Sequence, residues 1–293
     1  MIKTLNFIIS HPLNHKNKLQ AIKRFICWQV KSRFDSGFHK MQFGEKSYIL
    51  AKKGLTGATG NIYCGLHEFI DMAFVLHFLR QGDIFLDVGA NIGSYSILAG
   101  SEIGCSVYSF EPILSTFNIL KRNIEINNIE SNSHLFNKGV GSKKGILTFT
   151  NTNDTVNHVI KNPNNNSNSM VEVEILTIDE TVKITSPCLI KIDVEGFETE
   201  VLNGMSETLK TKNVQAIIIE LNGSGNRCGY DESIIHNKLI ENNFSLVNYN
   251  PFSRNLEQII KSDLDNKIYV KDFDLVKARL LAAQKRTING ITF

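Results

Sequence analysis

The stretch Phe85-Leu86-Asp87-Val88-Gly89-Ala90-Asn91-Ile92-Gly93-Ser94 decides the fold of this chain. Its apolar first half predicts a buried strand, and its two glycines predict a tight turn into a helix. Because glycine has no Cβ atom, the turn can approach a ligand closely and point backbone N–H groups at it. The spacing differs from the GxGxxG pattern of dinucleotide-binding loops, and an acid stands two residues before the first glycine. That carboxylate would repel a pyrophosphate but would tolerate a ligand with a cationic sulfonium and a free amino-acid end.

Short apolar segments alternate with helical segments on both sides of this turn, which predicts an α/β sheet with helices on both faces. Helices are expected to begin near Ile92, Leu114 and Phe197. Two further segments alternate in the manner of antiparallel strands, 145–150 and 171–176, and an asparagine-rich loop, 162–168, joins them. The predicted buried parallel strands are 84–88, 107–110, 189–192 and 216–221.

Composition excludes several classes of protein. The chain has 293 residues, of which 42% are hydrophobic and 21% charged, so a packed core is expected and global disorder is excluded. No run of eighteen apolar residues occurs, so a membrane-spanning helix is not predicted. The five cysteines are odd in number and form no CxxC pair, which favours reduced thiols in a cytoplasmic setting over disulfides or a zinc site.

The charge is unevenly distributed. Residues 1–53 contain eleven Lys or Arg and only two acids, a net charge of +9, which leaves the rest of the chain at −6. Such a basic arm suits contact with an anionic membrane surface or an acidic glycan, although a solvated helix face would have the same composition. An apolar stripe at helical spacing runs through the arm, and we expect it to dock on the body of the protein rather than on lipid. The stripe consists of Leu19, Ile22, Ile26, Val30 and Phe34.

A second motif, Tyr108-Ser109-Phe110-Glu111-Pro112, closes the next predicted strand. Glu111 falls 22 residues after Gly89, where a carboxylate can accept hydrogen bonds from both ribose hydroxyls of an adenosine ligand. This spacing is common to nicotinamide cofactors and S-adenosylmethionine, and the first-loop pattern favours the latter.

Two acids close the remaining strands of the predicted sheet. Asp193 follows the strand 189–192, and Glu220 closes the strand 216–221. Two neighbouring carboxylates would repel each other unless a proton or a cation lay between them. One hypothesis is a divalent cation such as magnesium, with Asn222 as a neutral ligand. The alternative needs no metal: Asp193 or His158 removes a proton from the acceptor, and Lys191 or a water neutralises the second acid.

Taken in order, these segments resemble the FkbM family of S-adenosylmethionine-dependent methyltransferases over roughly residues 65–270. The pattern comprises D-x-GANxG, FEP with Phe117, Leu120, Asn123 and Asn127 after it, a T-[IL]-D element at 177–179, KIDVEG-x-E with VLxG, and a strand that ends in Glu. The resemblance implies a class I methyltransferase fold: a doubly wound, mostly parallel, seven-stranded sheet whose last strand is antiparallel. It implies that cofactor binding involves Asp87, Gly89, Ala90, Asn91, Gly93 and Glu111. Phe197 stands where the family often has a small residue, which predicts a narrower cleft floor.

The expected organisation is a basic, helical N-terminal extension (1–64), a methyltransferase domain (65–270) and a C-terminal tail (271–293). The expected activity is methyl transfer from S-adenosylmethionine to a hydroxyl, with Asp193, Glu220 and His158 as candidate catalytic residues. Because members of the family are similar to O-methyltransferases of sugars or secondary metabolites, a sugar hydroxyl of a glycan or glycolipid precursor is the preferred acceptor, and a secondary metabolite is the first alternative. A nicotinamide-dependent oxidoreductase and a non-catalytic binding protein on the same fold are the others. Nucleic acid is not expected as a partner, since no basic stripe interleaved with aromatic residues occurs in the body.

Overall fold

The computed structural model describes residues 2–150, 170–181 and 187–293. Strands and helices alternate along most of the described chain. The strands are β1 (His39–Gln42), β2 (Tyr48–Ala51), β3 (Ile84–Val88), β4 (Ser106–Phe110), β5 (Ser133–Phe136), β6 (Gly139–Val140), β7 (Gly145–Thr150), β8 (Met170–Leu176), β9 (Leu189–Ile192), β10 (Ala216–Glu220), β11 (Ser245–Asn250), β12 (Asn255–Gln258), β13 (Asn266–Val270), β14 (Thr287–Ile288) and β15 (Ile291–Thr292).

Helices cover both faces of the main sheet. The helix α5 continues into a π-helical stretch, Leu98–Ile103. The α-helices are α1 (Ile2–Ser10), α2 (Lys18–Phe34), α3 (Thr56–Cys64), α4 (Phe69–Phe78), α5 (Ser94–Ile97), α6 (Leu114–Ile126), α7 (Ile178–Thr181), α8 (Glu198–Asn203), α9 (Ser206–Lys210), α10 (Glu232–Glu241) and α11 (Phe273–Leu281). None of these helices is both long enough and apolar enough to cross a bilayer.

The main sheet has the strand order β12-β11-β13-β10-β9-β3-β4-β5 within the described residues. Strand β13 runs antiparallel to both of its neighbours, and the strands from β10 to β5 are parallel. The predicted doubly wound, mostly parallel sheet with an antiparallel last strand is therefore confirmed. An eighth strand, β12, pairs with the edge strand β11, so the sheet is one strand wider than the seven expected.

The strand order reverses at β3, and this reversal positions the site. From β3 the chain adds β4 and β5 on one side, and later β9 and β10 on the other. Ligands in open α/β sheets bind at such a switch point, beyond the carboxyl ends of the strands. The central strands β3 and β9 are buried along nearly their whole length, which fits their apolar sequences.

The predicted antiparallel pair is confirmed as β7 and β8, which form a separate three-stranded sheet with β6. Phe149 and Ile175 of this sheet pack with Ile113 and Phe197 in a small apolar cluster. Residues 162–168, the predicted connecting loop, lie outside the described residues.

The helix α2 was expected to bury its aliphatic stripe against the body, and this expectation is wrong. The face that packs inward contains Ala21, Phe25, Trp28 and Ser32. Phe25 meets the ring of Tyr63 in α3 at 5.1 Å between centroids. Trp28, on the same face, meets the ring of His39 in β1 at 5.8 Å between centroids, so the rings of this face have partners in the body and the stripe faces outward. The stripe members Leu19, Ile26, Val30 and Phe34 are exposed.

The segment before residue 65 is tied to the rest of the fold through α6. The side-chain oxygens of Asn123 and Asn127 accept hydrogen bonds from the backbone N–H groups of Leu50 (2.7 Å) and Tyr48 (2.8 Å) in β2. The tail after residue 270 contains α11, whose Arg279 forms an ion pair with Asp83 at 2.6 Å. The domain boundaries at residues 64 and 270 stay predictions.

Candidate functional site

A cleft of about 320 Å³ lies beyond the carboxyl ends of β3, β4, β9 and β10. Its walls bring together the first glycine loop, Glu111, Asp193 and Glu220, as the sequence predicts from their places at strand ends. Thr56, Gly57 and Asn61 of α3 also line it, so the N-terminal extension contributes one wall. Phe197 lies in the lining as well, at the position where the sequence predicts a narrower floor.

Gly89 sits at the closest approach of two loops. Its φ is +81°, in the region that favours glycine, and a Cβ atom there would stand 1.7 Å from the carbonyl oxygen of Asp193. The N–H groups of Gly89 and Ala90 both donate to the carbonyl oxygen of Phe110, at 3.0 and 2.9 Å. The loop is thus fixed to β4 on one side and pressed against the loop after β9 on the other.

Asn91 and Gly93 complete the turn into α5. Asn91 has a φ of +51°, and its own side-chain oxygen accepts a hydrogen bond from the N–H of Ile92 at 2.7 Å. Gly93 has a φ of +89°, and a Cβ atom there would lie 2.4 Å from a methyl carbon of Leu120. The side chain of Leu120 therefore fills the space that the absent Cβ atom of Gly93 leaves.

Glu111 is buried at the end of β4 and is held by the backbone. One carboxylate oxygen accepts from the N–H of Asn91 at 3.0 Å and the other from the N–H of Ile113 at 2.9 Å. Burial raises the pKa of Glu111 to about 7, against the two hydrogen bonds that lower it. Since a carboxylate has about four acceptor sites, two remain for donors from the cleft.

Asp87 lies beneath the cleft rather than in its wall. It is almost fully buried, and one carboxylate oxygen accepts from the hydroxyl of Ser96 at 2.5 Å, while the other has no hydrogen-bond partner among residues 2–150, 170–181 and 187–293. Burial raises its pKa, whereas the ammonium of Lys191 opposes that rise. Lys191 stands directly opposite Asp87 in the pairing of β3 with β9. Asp87 thus lies below the glycine loop, and its carboxylate favours the charged form of Lys191.

Three carboxyl groups form an acidic cluster, two from the loop after β9 and one from the last residue of β10. Carboxylate oxygens of Asp193, Glu195 and Glu220 all lie within 4.8 Å of one another. Asp193 forms an ion pair with the buried ammonium of Lys191 at 2.7 Å. Burial disfavours the charge on Lys191, but the carboxylates of Asp193, Glu68 and Asp87 outweigh it and raise the pKa of the ammonium.

This crowding of acids changes the pKa of Glu220. Burial, followed by the carboxylates of Asp193 and Glu195, raises the pKa of Glu220 to about 9, so the group is protonated at neutral pH. Within the described residues, its buried Oε2 atom has no hydrogen-bond partner. Asn222, predicted as a companion ligand, is exposed, and its side-chain oxygen accepts from the N–H of Ser224 at 2.9 Å. Glu195 takes the place in the cluster that the sequence assigns to Asn222.

A network that the sequence did not reveal borders the same cluster. The hydroxyl of Tyr95 donates to Glu68 at 2.8 Å, and the side-chain amide of Asn266 donates to both Glu68 and Asp71 at 2.9 Å. The ammonium of Lys191 lies 4.6 Å from the centre of the Tyr95 ring. Burial, helped by the Glu68 carboxylate, raises the pKa of Asp71 to about 7. These residues come from four distant segments, so no local pattern marks them.

A histidine in the cleft wall was also missed. His67 lines the cleft, its buried Nδ1 atom has no hydrogen-bond partner in the described part of the chain, and burial lowers the pKa of its imidazole. A neutral imidazole of this kind can accept a proton. His158, the predicted alternative to Asp193 as a base, lies outside the described residues and stays a prediction.

The residues fit the two groups that the sequence suggests. The turn at Gly89–Gly93 and the spare acceptor sites of Glu111 suit an adenosine ligand, and the acidic cluster suits the positive charge of a sulfonium and an amino group. The spacing of the three carboxylates also suits a hard divalent cation, which prefers oxygen ligands.

The strand order and the loop that follows β3 define a class I methyltransferase fold. The family model described as the methyltransferase FkbM domain matches residues 87–246, more than half of the chain. The chain belongs to this family of methyltransferases.

Two curated proteins resemble the chain. The hexuronic acid methyltransferase AglP of Haloferax volcanii is 28% identical over 142 residues, which are 48% of this chain and 57% of that protein. Methyltransferase 1 of Beauveria bassiana is 27% identical over 161 residues, 47% of this chain and 65% of that protein. The chain therefore spans less than two thirds of either relative.

Solved structures resemble the chain more distantly. The precorrin-6y C5,15-methyltransferase of Geobacter metallireducens is 11% identical with a TM-score of 0.43, and the match covers 76% of this chain and 92% of that one. A Streptococcus pneumoniae protein described as a putative tRNA (m1A22) methyltransferase is 12% identical with a TM-score of 0.39, covering 69% of each chain. Nothing about the acceptor follows from likeness at this level.

Proposed function

We propose that this protein is an S-adenosylmethionine-dependent O-methyltransferase whose acceptor is a hydroxyl of a sugar unit in a glycan or glycolipid precursor. The observation that carries the proposal is the joint placement, in one cleft, of the Gly89–Gly93 turn and Glu111 with the acidic cluster around Asp193. Membership of the FkbM family and the similarity to a hexuronic acid methyltransferase support it.

Glu111 and the glycine turn would bind the cofactor. Glu111 is held rigidly by two backbone N–H groups, and its remaining acceptor sites would take the two ribose hydroxyls. When bound, S-adenosylmethionine supplies a methyl group on a positively charged sulfur. The carboxylates of Asp193 and Glu195 would face that charge and favour its binding.

Asp193 would activate the acceptor hydroxyl. The ion pair with Lys191 holds the Asp193 carboxylate in place, and the acceptor hydroxyl must lose its proton as the new carbon–oxygen bond forms. Glu220, protonated at neutral pH, would instead donate a hydrogen bond. The chain's main contribution is alignment, since a displacement requires the hydroxyl oxygen, the methyl carbon and the sulfur in line.

The charge of the cluster favours a hydroxyl over a carboxylate as the atom that receives the methyl group. An acceptor carboxylate beside the carboxylates of Asp193 and Glu195 would be repelled, whereas a neutral hydroxyl can donate to one of them. This distinction matters for an acidic sugar, which offers both groups. Methylation would then produce a stable ether rather than an alkali-labile ester.

A second arrangement places a divalent cation among Asp193, Glu195 and Glu220. These three carboxylates would be its ligands, and the cation would lower the pKa of a bound hydroxyl. We favour the arrangement without metal, because Lys191 already supplies a buried positive charge to the cluster.

Transfer of a labelled methyl group tests the proposed function. The protein is incubated with methyl-labelled S-adenosylmethionine and a panel of neutral glycans, acidic glycans and hydroxylated non-sugar metabolites, and products are treated with mild alkali. We expect an alkali-stable, methylated sugar product. A label released as methanol by alkali would contradict the choice of a hydroxyl, and label found only on non-sugar metabolites would contradict the sugar acceptor. No transfer to any acceptor from a protein that binds the cofactor would favour the non-catalytic alternative.

A further inference from the structure

We infer that the outward face of the helix α2 binds an anionic lipid bilayer surface. The inference extends the proposed function, because it states where the acceptor would be met, but it rests on the geometry of α2 alone. The helix is fixed to the body by its inner face, which contains Phe25 and Trp28. Its outer face therefore has a defined orientation and no covering element within the described residues.

The centre of this outer face is apolar. Leu19 is 82% exposed, Ile26 52%, Val30 49% and Phe34 90%. Their spacing places them along one side of a helix, as successive turns of 3.6 residues require. Because large apolar side chains are costly to expose, a continuous row of them marks a surface that is buried in a complex.

Basic side chains border the apolar row. Lys23, Lys31 and Arg33 are exposed, and none of them forms an ion pair with a carboxylate of the described chain. Residues 2–34 contain seven Lys or Arg and not one Asp or Glu. An aliphatic row with lysine and arginine beside it is typical of helices that lie in the headgroup region of anionic membranes.

The distribution of charge selects this partner over two others. A second copy of the chain would bring the same basic residues against each other, and that repulsion disfavours a symmetric dimer through this face. A nucleic acid would form ion pairs with the basic side chains but would leave the four aliphatic and aromatic side chains without an apolar partner. A bilayer satisfies both features, and it would repel residues 54–293, whose net charge is −6. The protein would therefore bind with α2 facing the lipid.

The helix α2 lies close to the cleft. It packs on α3, where the side-chain amide of Gln29 donates to the hydroxyl of Tyr63 at 2.9 Å, and Asn61 of α3 lines the cleft. Asn61 also lines a second cavity of about 750 Å³, together with Arg24, Cys27 and Lys31 of α2. An acceptor sugar attached to a membrane lipid would thus lie one helix away from the cleft.

Flotation of the full-length protein with vesicles tests the inference. Vesicles of phosphatidylcholine are compared with vesicles in which one third of the lipid is phosphatidylglycerol, without cofactor or acceptor. We expect binding to the anionic vesicles only. The triple variant Lys23→Gln, Lys31→Gln and Arg33→Gln should bind about 100-fold more weakly, since each charge contributes about 1 kcal/mol near such a surface.

Two further variants separate the contributions. Replacement of Leu19, Ile26 and Val30 by Ser should also abolish flotation, whereas the matched control Lys121→Gln, Lys212→Gln and Lys261→Gln, exposed lysines elsewhere, should float as the wild type does. Unchanged thermal unfolding midpoints show that the variants are folded. The inference is overturned if the wild type fails to float with anionic vesicles, if both vesicle types bind it equally, or if the control loses as much as the α2 variants. Because no step involves methyl transfer, these outcomes are independent of the proposed function.

Discussion

The two sides of the cleft are built in opposite ways. On the side of Glu111, both carboxylate oxygens accept from backbone N–H groups, and the N–H groups of Gly89 and Ala90 donate to Phe110, so the turn is fixed before any ligand arrives. On the side of Asp193, three carboxyl groups crowd together beside one buried ammonium, and a buried oxygen of Glu220 has no partner in the part of the chain that the structure describes.

This difference indicates that the two sides of the cleft have different roles. A preorganised side binds a ligand of fixed shape with little rearrangement, which suits the part of the cofactor that does not react. A side with excess negative charge is stabilised by a positive ligand or by transfer of a proton to it, which suits the reacting part. The contrast can be tested by removing single groups from each side.

The largest effect is expected from Asp193→Asn. If Asp193 takes the proton of the acceptor, methyl transfer should fall by about 10²–10⁴-fold, the usual contribution of a positioned general base. Cofactor affinity, measured by calorimetry, should change much less. The variant Asp274→Asn changes an exposed acid and provides a matched control that should retain full activity. Equal losses of activity and cofactor affinity in Asp193→Asn would instead place Asp193 in cofactor binding.

A smaller effect is expected from the preorganised side. Glu111→Ala should weaken cofactor binding by about 1.5–3 kcal/mol, the loss typical of charge-assisted hydrogen bonds. Glu111→Gln keeps the shape and removes the charge, so a loss of similar size in both variants would assign the effect to charge. Calorimetric titration with S-adenosylhomocysteine measures both. Affinity that is unchanged in both variants would remove Glu111 from the site.

The acidic side should also make the stability of the cofactor-free protein depend on pH in an unusual direction. Burial raises the pKa of Glu220 to about 9 and those of Glu111, Asp71 and Glu198 to about 7, with further contributions to the shift of Glu220 from Asp193 and Glu195. Between pH 8.5 and pH 6.5 the folded protein therefore binds more protons than the unfolded chain, so stability should rise as the pH falls.

The net gain should be about 1 kcal/mol, because burial lowers the pKa of His11, His67 and His77, and these imidazoles oppose the gain as the pH falls toward 6.5. Urea unfolding at both pH values measures it. Glu220→Gln removes the group with the highest pKa and should flatten the dependence above pH 7. Stability that instead falls from pH 8.5 to pH 6.5 would show that the acidic side is not strained by its charges.

The smallest effect is expected from removal of metal. With Lys191 as the resident cation of the cluster, methyl transfer after exhaustive EDTA treatment should remain within about twofold of the untreated rate. A loss of activity that magnesium restores would contradict this and favour a divalent cation among Asp193, Glu195 and Glu220. Glu195→Gln then serves as the discriminating variant, because only the metal arrangement gives Glu195 a ligand role.

The preorganised side was predictable from the sequence, and the acidic side was only partly so. The turn at Gly89–Gly93 and the position of Glu111 follow from local patterns, since each lies at the end of one apolar strand. Asp193 and Glu220 were found for the same reason. Glu68, Tyr95 and Asn266 could not be found, because only the packing of α4 and β13 against the strand ends brings them together.

The helix α2 shows another limit of sequence reasoning. The helical spacing of its apolar residues predicted the helix, but α2 has two apolar faces, and either of them could pack on the body. The aliphatic stripe from Leu19 to Phe34 is the longer one, whereas the face with Phe25 and Trp28 has the larger side chains. Which face is buried depends on the surface of α3, where the ring of Tyr63 receives Phe25, and that surface is a product of the tertiary fold.

The central claim is that the cleft between Glu111 and Asp193 binds S-adenosylmethionine, and calorimetric titration of the wild-type protein tests it most directly. S-adenosylhomocysteine and NADH are titrated separately into the same preparation. We expect one saturable site per chain for S-adenosylhomocysteine and no heat of binding for NADH, because the carboxylates of Asp193 and Glu195 in the cleft disfavour a pyrophosphate. Binding of NADH in place of S-adenosylhomocysteine, or the absence of binding by both, would contradict it.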